Sequence, residues 1–247
     1  MSSHSVSVSR LGMQMARAIV RWLPDSARHF ASKWYFFRQV STGNFRSAEI
    51  EWERLGEWLA DGDVCIDVGA NVGRYTLRMS SLVGPKGHVV AFEPLTRSFD
   101  LLTHLVGKSA CRNVTLLNAA ATATGCVIDI MADASPSSAA YVFDTNTRTR
   151  VAPAGGAQTT ESKLGLSIDS LALPNPVRLV KIDVEGHELE VCRGMSALLK
   201  RDRPVLIVED HGDSPDLPVF LAQFGYRGRR LQEASRNCLF EYDGSSS

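Results

Sequence analysis

Residues 64–73 read Val64-Cys65-Ile66-Asp67-Val68-Gly69-Ala70-Asn71-Val72-Gly73. Five residues, four of them apolar, run into a glycine-bearing turn, and a helical pattern opens directly after it. A short apolar run before a turn signal is the mark of a strand buried on both faces. Glycines at the bend let the backbone turn sharply and let a ligand approach without a Cβ in the way. The amide groups at the start of the following helix favour polar or anionic groups.

Working outward, the same alternation repeats. The pattern predicts a helix over 73–82, a strand over His88–Phe92, a helix over 96–106 and a strand over 114–118. Further on come a strand over 178–183, a helix over 188–199, a strand over Val205–Glu209 and a helix over 217–224. Segments 226–231 and Asn237–Tyr242 suit a closing antiparallel hairpin. Strands alternating with helices imply an α/β protein with a mostly parallel sheet between two helical layers. Residues 119–168, rich in Ala, Ser and Thr, break the alternation. Short strands are expected there at 127–131 and 141–143, with an exposed loop near 145–160. The expected organisation is an N-terminal helical cap over 1–60 and a main domain over 61–247 with an insert near 132–162.

The cap is read as three helices: an amphipathic one over 10–23, a second from Asp25 or Ser26 to about Val40, and a third over 47–60. Charge is uneven along the chain. Lys+Arg and Asp+Glu each number 27, yet residues 1–48 hold seven basic residues against Asp25 alone, a net +6 that leaves −6 on the remainder. The basic end suits contact with an acidic partner or the surface of a membrane. No apolar run approaches the roughly 20 residues that a membrane span needs. No basic stripe with interleaved aromatics points to nucleic acid. Hydrophobic residues at 44% exclude a disordered chain. Five cysteines without a CxxC pair fit a reducing, cytoplasmic setting, and arginines stand where a secretory signal needs an apolar core.

Two clusters carry chemistry. In the first, Glu93 ends the second strand, 20 residues beyond Gly73. A carboxylate there can accept hydrogen bonds from both hydroxyls of a ribose, as in dinucleotide folds. The turn lacks the middle glycine of G-x-G-x-x-G, because Asn71 occupies that position, and no P-loop lysine follows. It suits a nucleoside with an amino-acid tail whose ammonium Asp67 meets, which describes S-adenosylmethionine. The competing structural reading is a glycine turn kept for packing.

The second cluster is Lys181-Ile182-Asp183-Val184-Glu185-Gly186-His187-Glu188. An apolar strand ends in two carboxylates and an imidazole where a helix begins. In an open α/β sheet, ligands bind beyond the carboxyl ends of the strands at the topological switch point. Asp183, Glu185 and His187 are therefore the candidate catalytic residues, while Glu188 reads as an acid favouring a helix start. Glu209, Asp210 and His211 end the next strand and are second choices for a base or orienting group. Asp183, Glu185, Glu209 and Asp210 also offer the hard oxygen ligands that Mg²⁺ accepts, although a divalent metal is not the favoured reading and no residue is assigned to one.

DVGANVG at 67–73, FEP at 92–94, Asn118-Ala119, SIDSL at 167–171 and KIDVEGHELEVCRG at 181–194 together resemble the FkbM-type S-adenosylmethionine-dependent methyltransferases. The resemblance covers about residues 64–210. It implies a class I methyltransferase (Rossmann-like) fold, with a seven-stranded sheet containing one antiparallel strand. It also implies methyl transfer, mostly to oxygen, on sugars, polyketides or other small molecules. By position, Asp67, Gly69, Ala70, Asn71 and Gly73 would line the methionine end. Glu93, with Pro94 beside it, would hold the ribose, and Asn118 and Ala119 would lie near the adenine. Asp183 would close the pocket towards a hydroxyl acceptor. Transfer to nitrogen, a nicotinamide-dependent oxidoreductase and a non-catalytic nucleoside-binding module are the alternatives. The oligomeric state is left open by the sequence.

Overall fold

In the computed structural model the described residues are 23–132, 149–151, 161–173, 175–209, 215–233 and 235–244. The helix expected over 10–23, the strand at 141–143, the loop at 145–160, and Asp210 with His211 lie outside them, wholly or nearly so.

The strands are β1 (Val64–Val68), β2 (His88–Phe92), β3 (Val114–Leu117), β4 (Ala120–Ala121), β5 (Cys126–Ala132), β6 (Thr149–Val151), β7 (Glu161–Leu166), β8 (Val177–Ile182), β9 (Val205–Glu209), β10 (Tyr226–Arg230) and β11 (Asn237–Tyr242). Seven of them form one sheet in the order β10-β11-β9-β8-β1-β2-β3. β1 pairs in parallel with β2 and β8, while β11 runs antiparallel to both of its neighbours, β9 and β10. This is the mostly parallel sheet with one antiparallel strand that the sequence predicts.

Every residue of β1 is buried, which explains its unbroken apolar character around Asp67. Its side chains alternate between two cores. Val64, Ile66 and Val68 pack with Val90 and Phe92 of β2, and with the helices α5 (Glu188–Arg193), α6 (Ser196–Asp202) and α7 (Asp216–Ala222). Cys65 and Val89 pack on the other face against α2 (Ile50–Arg54) and α3 (Arg74–Val83). Ala91 faces Leu102 and Val106 of α4 (Thr96–Lys108) on that same side. The result is a helix–sheet–helix sandwich.

Several expectations shift. The helix expected over 47–60 is α2 followed by a single 3-10 turn at Leu55–Glu57, where Gly56 weakens the helix. Trp52, Leu55 and Leu59 pack in the same core as Cys65, Tyr75 and Met79, so this segment, which its sequence groups with the cap, belongs to the unit that begins at Arg46. The helix expected over 188–199 is two helices. It breaks at Gly194, where a Cβ would lie 2.1 Å from the Thr122 carbonyl oxygen. Asp169, in the SIDSL stretch, caps the second of them by accepting the Ala197 and Leu198 N–H groups at 2.8 and 2.9 Å. Residues 119–168 contribute a second sheet, β4-β7-β5-β6, which the sequence does not anticipate beyond one strand.

The N-terminal unit contains α1 (Asp25–Ser41). Pro24 takes the cap position, and neither Asp25 nor Ser26 does; Asp25 sits in the first turn, bonded to Arg28 at 3.3 Å. Phe36 stacks edge-on with Tyr35 and with Phe45. No helix among the described residues is long and apolar enough to cross a membrane.

Candidate active site

The chain leaves β3 and re-enters the sheet at β8, so the order of connection reverses between β1 and β8. That switch point is where an open α/β sheet presents its crevice. Both sequence clusters end there. The Asp183 N–H donates to the Val68 carbonyl at 3.0 Å. Gly69, at φ +78°, lies so close to β8 that a Cβ would sit 1.8 Å from the Asp183 carbonyl oxygen. Glycine is therefore required twice at this position, for its dihedral and for its contact.

The turn is tied to the end of β2. The Gly69 and Ala70 N–H groups both donate to the Phe92 carbonyl, at 3.0 and 2.9 Å. Asn71, at φ +50°, donates its N–H to Glu93 Oε2 at 2.8 Å, and Leu95 donates to Oε1 at 2.9 Å. Gly73, at φ +93°, caps α3, and a Cβ there would reach Leu102 at 2.5 Å. Asn118 donates to the Glu93 and Pro94 carbonyls at 2.9 and 3.0 Å and accepts from Lys163 at 3.0 Å. Ala119 is buried in the main core. The structure thus brings residues 67–73, 93–94 and 118–119 into one hydrogen-bonded neighbourhood.

Two acids in it are strongly perturbed. Glu93 is only 5% exposed; burial, assisted by the charges of Asp183 and Asp67, pushes its carboxyl up to about 7 against the two N–H bonds that lower it. Asp67 is completely buried, which raises its carboxyl, while Lys181 opposes the shift. Its Oδ2 accepts from the Thr76 hydroxyl at 2.6 Å, and its Oδ1 has no hydrogen-bond partner among the described residues. An orphaned, buried carboxylate oxygen is costly, and it fits a site that receives a donor such as an ammonium group.

The second cluster centres on Lys181, which sequence reasoning passed over. Its signal in the sequence is a second charge, after Arg178, in a strand whose other residues are apolar. The ammonium is buried, bonds Asp183 at 2.8 Å and lies 4.7 Å from the Tyr75 ring centroid. Desolvation alone would lower it; the charges of Asp183 and Asp67 hold it above the ordinary lysine value. Asp183, Glu185 and Glu209 place carboxylate oxygens within 4.8 Å of one another. Burial and its hydrogen bond to Asp183 push the Glu209 carboxyl up to about 9, which favours its protonated form. The oxygens have the chemistry of an Mg²⁺ site, although Lys181 already supplies a cation to Asp183.

His187 stands apart from this cluster. Its Nε2 lies 3.0 Å from the Thr122 hydroxyl, beyond the end of β4, and burial lowers its pKa against the charges of Glu190 and Glu188. The separation follows from the backbone: Glu185 and Gly186 take φ of +53° and +98°, which swings the chain round between Asp183 and His187. Glu188 accepts the Gly186 N–H at 2.8 Å, consistent with a helix-start role.

A seven-stranded sheet in this order, with a glycine turn after β1 and an acid after β2, defines the class I methyltransferase fold. A crystal structure of methyltransferase FkbM from Methylobacillus flagellatus superposes with a TM-score of 0.53 over 74% of this chain and 44% of that one, at 17% identity. The FkbM methyltransferase domain matches residues 67–227, and the chain belongs to that family. Hexuronic acid methyltransferase AglP of Haloferax volcanii is 33% identical over 172 residues, which are 68% of this chain and 65% of AglP.

Proposed function

We propose that the protein is an S-adenosylmethionine-dependent methyltransferase that methylates a hydroxyl group of a sugar or similar small molecule. The observation that carries this reading is the meeting of the Gly69–Gly73 turn with Asp183 at the switch point of the sheet. S-adenosylmethionine supplies an activated methyl group when bound. Glu93 would accept the ribose hydroxyls, and Asp67 would receive the ammonium. Asn118 fixes the loop that carries Glu93, and Ala119, buried beside it in the chain, would lie near the adenine.

As the acceptor oxygen gains the methyl group and the methyl–sulfur bond breaks, with the electron pair leaving on sulfur, Asp183 would take the hydroxyl proton. Lys181 orients that carboxylate, and Glu209 holds the shared proton that keeps a second negative charge from developing beside it. Aligning the hydroxyl oxygen ~3–3.5 Å from the methyl carbon can contribute roughly 7–11 kcal/mol. Glu185 sits within the same carboxylate group and would receive the other hydroxyls of the acceptor.

The sugar class rests on the relative that acts on hexuronic acid. The choice of hydroxyl over carboxylate rests on hydrogen bonding. The clustered carboxylate oxygens of Asp183, Glu185 and Glu209 accept from a neutral hydroxyl, whereas an ionised carboxylate acceptor brings no proton to donate to them. The test is incubation with labelled S-adenosylmethionine and a panel of sugars and uronosides, followed by mild alkali. An alkali-stable methyl ether supports the reading; an alkali-labile methyl ester, or no transfer in the presence of measurable cofactor binding, refutes the acceptor assignment. Calorimetry without binding of S-adenosylmethionine or its demethylated product refutes the cofactor assignment.

A further inference from the structure

The helix α1 is amphipathic the wrong way round for a helix in water. Phe30, Trp34 and Phe37 are 72%, 58% and 37% exposed, while Arg28 and Ser32 are buried beside Phe36. The spacing i, i+4, i+7 puts the three aromatics in one stripe. At 3.6 residues per turn, Lys33 falls about 70° to one side of that stripe and Arg38 about 70° to the other. Arg38 reaches back over the Trp34 ring, its guanidinium carbon 5.6 Å from the centroid. Scattered exposed apolar residues need no explanation, but an aromatic row bordered by cations over two helical turns does.

We propose that α1 seats the protein on an anionic lipid surface, with Phe30, Trp34 and Phe37 entering the headgroup region and Lys33 and Arg38 meeting lipid phosphates. Two features select this occupant. Trp and Phe are the side chains that favour the boundary between headgroups and acyl chains, and flanking Lys and Arg add attraction to anionic lipid. The charge of the chain is also segregated: the first 48 residues carry +6 and the remainder −6, so the attraction is directed to the end that holds α1. A symmetric dimer through the same stripe would bring two such basic ends together, which opposes it. The inference stands independently of methyl transfer.

The test is co-sedimentation of the full chain with vesicles of phosphatidylcholine alone, or of phosphatidylcholine with phosphatidylglycerol. The expected result is binding to the anionic vesicles, weakened by salt and reduced at least about tenfold in a Phe30→Ser/Trp34→Ser/Phe37→Ser variant. S-adenosylmethionine affinity is unchanged in that variant, since α1 carries none of the site residues. Equal binding by variant and wild type, or wild-type indifference to both vesicles, overturns the proposal. So does a self-associated wild type that the substitutions dissociate without any vesicle binding, because the stripe then belongs to a second copy. Should the triple variant misfold, Trp34→Phe decides. It binds as wild type does, but loses a tryptophan signal quenched by bromine-labelled lipid; an unchanged quenching pattern overturns the assignment.

Discussion

The two acidic ends of the crevice are built on opposite plans. At Glu93 both carboxylate oxygens are met by backbone N–H groups, from Asn71 and from Leu95, so the side chain knits two loops together. At Asp183 and Glu209 the carboxylates meet each other and a lysine, with Asp183 still 30% exposed. The first end is held by the main chain and positions whatever it binds. At the second, carboxylates bond to other side chains, an arrangement suited to exchanging a proton. On the proposed function the first end binds and the second does the chemistry, and substitutions on each side test that division.

The largest effect is expected at the joint between the two ends. Gly69→Val places a Cβ into the Asp183 carbonyl and a β-branched residue at φ +78°. A loss of more than about 3 kcal/mol in stability, read by chemical denaturation, should accompany loss of S-adenosylmethionine binding. Near-wild-type values for both would mean that the two ends do not meet as described. Asp183→Asn comes next. It should lower turnover by about 10²–10⁴-fold while cofactor affinity, measured by calorimetry, stays within about threefold. A change in affinity as large as the change in turnover would place Asp183 on the binding side of the comparison. His187→Ala should cost far less turnover, because the imidazole faces Thr122.

Glu93 predicts a pH dependence. Burial favours its protonated form, whereas the ribose hydroxyls would favour the carboxylate. Cofactor affinity should therefore weaken as pH falls through about 7, by up to about tenfold per pH unit. Glu93→Gln, measured across the same range, should bind more weakly and lose the dependence. A pH-independent affinity in the wild type would show that Glu93 does not titrate on binding.

How legible this was in the sequence depends on the range of the contacts. β1, the Gly69–Gly73 turn and the acid at 93 could be read because each is a local pattern: an apolar run, residues with special φ, and a strand end. The second sheet could be read only at β5. β4 is two alanines that pair with Gly165 and Leu166, some 45 residues away, and neither strand carries a strong alternating pattern. The split of the helix expected over 188–199 depends on the Thr122 carbonyl, and the cap of its second half on Asp169, both distant in sequence. In the site, Asp183, Glu185 and Glu209 could be picked out by type and position. The departure of His187 could not, because two consecutive positive-φ residues undo any inference from linear spacing. Lys181 was hidden by its setting: a charge inside an apolar strand is legible only once its partners, Asp183 and Asp67, are known to converge on it.

The smallest effect expected, and the most discriminating, lies at Glu209. Its carboxyl is raised from an ordinary 4.5 to about 9, so the folded protein retains a proton that the unfolded chain gives up. The stabilisation from this proton is fully present below the unfolded value and is lost as pH climbs towards about 9. Glu209 is half-buried, so solvent screening keeps the contribution small. Glu209→Gln retains a neutral donor to Asp183 and cannot ionise. Its melting temperature should therefore fall less steeply than that of the wild type between about pH 6 and about pH 9. Parallel slopes would mean that the two carboxylates do not share a proton, and that Lys181 rather than Glu209 restrains the charge at Asp183. The chemical end of the crevice would then resemble the Glu93 end, an acid fixed by its donors, and the proton from the acceptor would need another destination.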